Sequence, residues 1–144
     1  DGHEHCHAVP GIRPAVIEMA ARHGIPVRSM VPLTRPGDVK GKVIAYLGRA
    51  VQASATRADV PTNWRFGGVL PIPDPEAAVA RLGADLADAR RAATKAPGEI
   101  WFMVHPGDAD DPVQVPRHPA RLRALEAALL RNTAPGFARQ PSGA

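Results

Sequence analysis

The chain has 144 residues, 44% of them hydrophobic, which is enough for one domain with a real core and too apolar for wholesale disorder. Its formal net charge is +4 and its sequence pI about 10.0; the arginines are scattered and no basic run interleaves with the few aromatics, so the excess reads as compositional bias and excludes a nucleic-acid partner from the expectation. No apolar run is long enough for a membrane span, no signal-peptide pattern opens the chain, and the single Cys6 rules out an internal disulfide and fits a reducing, cytoplasmic compartment.

Residues 1–10 are polar and His-rich. Residues 11–23 read as a helix, with Ile12, Val16, Met19 and Ala20 at helical spacing, Pro10 and Pro14 near its first turn and Gly24 as its stop. Residues 25–31 form a short apolar run, expected as a strand that carries Arg28. A loop at 32–37 leads to a second predicted helix from Asp38 that fades near Ala58, with Val39, Val43, Tyr46, Leu47 and Ala50 on its core face. Residues 60–75 are rich in Pro and Gly and read as a long loop with a short strand at 69–72.

Asp74 is the predicted cap of a third helix running to about Ala93, with Pro75 first and Val79, Leu82 and Leu86 facing the core. After the Pro97-Gly98 turn, Ile100-Trp101-Phe102-Met103-Val104 is an unbroken apolar run, the pattern of a parallel strand buried on both faces. His105-Pro106-Gly107 ends it. An acidic, Pro-rich loop at 108–119 precedes a fourth helix from Pro119 or Ala120 to Arg131, with Leu122, Leu125 and Leu129 inward. The tail, 132–144, has no periodicity and is expected to be disordered.

Alternating strands and helices predict an α/β fold with a parallel sheet or barrel, with residues 1–131 as the folded part. About three strands are legible, too few to close a barrel. The expectation is therefore a portion of a barrel, its N-terminal strands missing.

The strongest chemical signal is Asp1-Gly2-His3-Glu4-His5-Cys6-His7. In an extended segment His3, His5 and His7 point to one face, and neutral imidazole is the commonest metal ligand near neutral pH. A solvated His-rich terminus is the alternative; so is a square-planar Cu(II) or Ni(II) site on Asp1-Gly2-His3, which exists only where Asp1 carries a free amine. Cys6 is expected to face away from its neighbours. His105 follows the buried strand, where active sites of α/β folds collect, and can serve there as general acid or base. Arg28 inside an apolar strand needs a partner or an edge position. His23 reads as a helix-end residue suited to the dipole, His118 as a loop residue, and Asp108, Asp110 and Asp111 as a solvated loop.

These motifs, in this order, resemble the YdjC/ChbG-like carbohydrate deacetylases. Residues 1–7 match the family's Asp-Ser-His-x-His-x-His signature with Gly2 in place of Ser. Ile25-Pro26-Val27-Arg28, Phe66-x-Gly68, Met103-Val104-His105-Pro106-Gly107 and the Leu-rich helix from Leu122 follow as they do in the family. The hopanoid-associated branch labelled HpnK is one home that the resemblance allows.

The resemblance implies a distorted (β/α) barrel and hydrolysis of an N-acetyl group from an amino sugar, a chitin-type oligosaccharide or a glycolipid head group. It implies a divalent metal, Mg2+ or Zn2+, with His3 as a ligand. It makes His105 the candidate acid for the leaving amine, and Asp1, His5, His7, Arg28 and Phe66 substrate-binding or supporting residues. The family's Asp-Asp-x-Gly acids and its earlier metal His have no counterpart in the sequence, since Asp110-Asp111 runs into Pro112-Val113. The chain is thus expected to be incomplete, inactive alone and prone to self-association through exposed apolar faces. The competing readings are a non-catalytic remnant or metal-binding module, and another metallohydrolase such as a phosphoesterase.

Overall fold

The computed structural model describes residues 3–68, 74–110 and 119–133. Its elements are a 3-10 turn His3–Ala8, then α1 Arg13–His23, α2 Val39–Arg57, β1 Arg65–Gly67, α3 Pro75–Ala93, β2 Ile100–Phe102 and α4 Ala120–Thr133. They fall into two compact units, one of residues 1–68 with 85–103 and one of 69–84 with 104–144. No helix among the described residues is long and apolar enough to cross a membrane.

The helix signals act as read. Pro14 stands in the first turn of α1, and Gly24 takes the left-handed conformation (φ 62°) that closes it. The Asp38 side chain caps α2 by accepting from the Gly41 N–H at 3.0 Å, and Asp74 caps α3 by accepting from Ala77 N–H at 2.9 Å. Leu82 and Leu86 of α3 and Leu122 of α4 are buried.

The faces of α1 and α2 depart from the sequence expectation. Val39, Val43 and Tyr46 are exposed, Tyr46 at 70%, whereas Ala45, Gly48, Val51 and Ala55 are buried. Of the face expected for α1, Ile12 and Met19 are exposed, whereas Ala20 is buried and Val16 packs against the core as expected, with Ile17 buried beside them. Small residues decide this. Gly48 lies so close to the Met30–Val31 backbone that an added Cβ would stand 2.7 Å from it, so α2 docks on its Ala/Gly side. The core of this unit is Ala8, Ile17, Ala20, Val27, Met30, Val51, Ala55 and Val60, with Val16, Ile44 and Leu47 against it.

β1 and β2 pair in parallel, with Arg65, Phe66 and Gly67 opposite Ile100, Trp101 and Phe102. The parallel α/β expectation holds in this small sheet. The buried five-residue strand does not: β2 stops at Phe102 and is half-buried. Residues 25–31 are not a strand either. They approach β1 through isolated parallel bridges, Val27 to Thr62 and Pro32 to Phe66. The expected strand at 69–72 lies outside the described residues, and β1 forms a few residues earlier. The tail beyond Thr133 also lies outside them.

Between the two bridges the ladder is completed by a side chain. Asn63, fully buried, accepts from Ser29 N–H at 2.6 Å and donates to Ser29 O at 3.1 Å and Arg65 O at 2.8 Å. Gln52 of α2 donates to Asn63 O and Trp64 O at 2.7 and 2.8 Å. Buried polar groups demand such partners, and the result is a rigid frame beside Arg28 and Phe66.

Candidate functional site

The His-rich segment is a 3-10 turn, not an extended strand. The alternation of side chains along a strand therefore does not apply. His5 takes φ 66°, in the left-handed region that a non-glycine residue enters at a cost of about 1–2 kcal/mol. His7 is almost fully buried at 2% exposure, and its ring stands edge-on to that of His5 with centroids 6.4 Å apart. Cys6 between them is exposed.

His7 Nε2 lies 2.9 Å from the carbonyl oxygen of Arg28, a geometry in which the Nε2–H tautomer donates. The Arg28 guanidinium lies over the Phe66 ring, 4.8 Å from its centroid, within cation–π range. Burial pulls the guanidinium below the ordinary arginine pKa range, because desolvation disfavours the charged form. One continuous cluster thus contains His5, His7, Arg28 and Phe66, drawn from the first turn, the irregular segment after α1 and β1. Ser29 and Asn63 hold the backbone of the last two.

Asp1 lies outside the described residues, as do the side chain of His3, His118 and Asp111. Among the described residues no group of three His, Cys, Asp or Glu side chains is arranged to hold a metal ion. His7 commits its Nε2 to a carbonyl, so that nitrogen is not a ligand.

His105 belongs to the other unit. It follows β2 closely, in a turn where its backbone N–H donates to Glu126 Oε2 at 2.6 Å. Glu126 is 4% exposed. Gly107 N–H donates to Arg123 O at 3.1 Å, so α4 holds the turn at two points. Asp108 and Asp110 of the loop that follows are exposed, which agrees with their reading as a solvated stretch.

Sequence reasoning passed over Ser29, Gln52, Asn63 and Glu126. Two carried a signal. Ser29 interrupts an apolar run, and Glu126 stands four residues after Leu122, on the face meant for the core. Asn63 sits in a Pro/Gly-rich loop, where Asn is ordinary, and gave none.

A family model described as YdjC-like protein matches residues 1–135. No curated protein and no solved structure is detectably similar to the chain.

Proposed function

The chain belongs to the YdjC-like family, a carbohydrate-deacetylase-like family, and from that premise we propose that it is a metal-dependent hydrolase acting in the cytoplasm. It removes an N-acetyl group from an amino sugar, a chitin-type oligosaccharide or a glycolipid head group. The match over residues 1–135 is the observation that carries this reading. The helices and short parallel strands are compatible with a portion of a distorted (β/α) barrel, the fold proposed with it.

Amide hydrolysis needs an activated water, a polarised carbonyl and a proton for the departing nitrogen. His105 is the residue we assign to the proton: an imidazole can both give and take one, and this one stands on the turn that follows β2. Of the cluster, Arg28 and His5 are only half-buried and are the groups we propose to meet a polar ligand, with the buried His7 and Phe66 as their support. The divalent ion, Mg2+ or Zn2+, would polarise the carbonyl and lower the pKa of a bound water. His3 is its proposed ligand. The described residues do not by themselves form a ligand set for it.

The test is acetate release from N-acetylglucosamine oligosaccharides by the natural gene product that carries these residues, before and after chelation. Release that chelation abolishes and Mg2+ or Zn2+ restores supports the proposal. Phosphate release from model phosphoesters instead would move the chain to a phosphoesterase reading. Tight sugar or metal binding without turnover would make it a binding module.

A further inference from the structure

In the turn His105-Pro106-Gly107, Pro106 has no N–H, so His105 and Gly107 carry the only backbone donors. Both are taken by α4: His105 N–H by Glu126 Oε2 at 2.6 Å, and Gly107 N–H by Arg123 O at 3.1 Å. The contact is close as well as polar. A Cβ at Gly107 would lie 2.5 Å from the Arg123 guanidinium. Holding the turn by hydrogen bonds alone does not call for a carboxylate. Glu126 is 4% exposed, and withdrawing a carboxylate from water carries a desolvation cost that a neutral acceptor would avoid. What a carboxylate adds is a shorter, stronger and more directional bond to the amide.

We propose that Glu126 is a positioning residue for His105: through the His105 backbone N–H it fixes the direction in which the imidazole leaves the turn. This rests on the reading of His105 as the proton donor. A reacting group displaced by about 1 Å can lose on the order of 100-fold in rate. Loosening this amide therefore lowers turnover while leaving substrate affinity alone.

The experiment compares wild type, Glu126→Gln and His105→Ala in the natural gene product, on an N-acetylated chitin-type oligosaccharide, with the His105 amide followed by NMR in the same protein. Glu126→Gln is expected to lower kcat about 10- to 100-fold with KM within about two-fold. It is also expected to move the His105 amide proton upfield from a strongly downfield wild-type position. His105→Ala is expected to lose nearly all turnover. Wild-type kcat in Glu126→Gln beside a dead His105→Ala overturns the positioning role and leaves the proposed function standing. Full turnover in His105→Ala overturns the reading of His105, and the catalytic role of Glu126 with it. Should Glu126→Gln not fold, Glu126→Asp decides: it keeps a carboxylate on a shorter stem, and wild-type kcat in it beside a displaced His105 amide signal overturns the proposal.

Discussion

Asn63 and Ser29 exchange two hydrogen bonds, Ser29 N–H to Asn63 Oδ1 at 2.6 Å and Asn63 Nδ2 to Ser29 O at 3.1 Å, with both residues fully buried. The amide side chain thereby does what a neighbouring strand's backbone does in a regular ladder. Asn63→Ala is expected to destabilise the protein by at least about 2 kcal/mol, since each buried group left unsatisfied costs about 1–3 kcal/mol. Asn63→Asp should cost more, because its carboxylate would face the carbonyls of Ser29 and Arg65. Urea unfolding with the slope unchanged checks both.

Gly48 offers a case in which two effects compete. Glycine inside a helix is worth about 1 kcal/mol less than alanine, so Gly48→Ala should stabilise α2 on propensity alone. The new Cβ would meet the Met30–Val31 backbone at 2.7 Å, and backbone cannot swing aside as a side chain can. A net loss of about 1–3 kcal/mol is expected from overpacking. A raised melting temperature in Gly48→Ala would show that α2 does not dock so closely.

The orientation of α2 has its own test. Val43→Gln and Tyr46→Ser, on the exposed face, should stay within about 0.5 kcal/mol of wild type. Val51→Ala, at a position with 0% exposure, should cost about 2 kcal/mol through lost transfer energy and the cavity left behind. Equilibrium unfolding of the three variants side by side would expose a reversed face at once.

Arg28 and Phe66 should be energetically coupled. With the guanidinium 4.8 Å from the ring centroid and partly desolvated, a double-mutant cycle on Arg28→Met and Phe66→Leu is expected to give about 0.5–2 kcal/mol. Arg28→Lys should recover only part of it, because an ammonium does not stack as a planar guanidinium does. A coupling energy of zero would mean that the two groups merely lie near each other.

His7→Phe keeps a ring in the buried position and removes its bond to the Arg28 carbonyl. We expect a loss of about 1–3 kcal/mol in stability. On the proposed function we also expect a fall of roughly ten-fold or more in kcat/KM, as the Arg28 backbone loses its support. Unfolding and acetate-release measurements on the same variant separate the two effects.

Local chemistry was legible in the sequence and survived intact. Asp38, Asp74, Pro14, Pro75 and Gly24 set helix ends that the structure reproduces to within about two residues, because a cap acts on backbone groups only a few positions away. The motif order that placed the chain in its family is likewise a property of the string of residues. The sequence did not say which side of an Ala-rich helix faces inward. Val39, Val43 and Tyr46 make an apolar stripe as good as the one that is buried, and the choice fell to Gly48, whose lack of a side chain lets the Met30–Val31 backbone come close. Nor did it show that residues 3–8 would coil and bury His7 while Cys6 stays out. Asn63 replacing a strand and Glu126 reaching His105 are contacts between residues 34 and 21 positions apart. Such pairings are specified only when the chain closes on itself, because a buried donor takes whatever acceptor the packing brings to it.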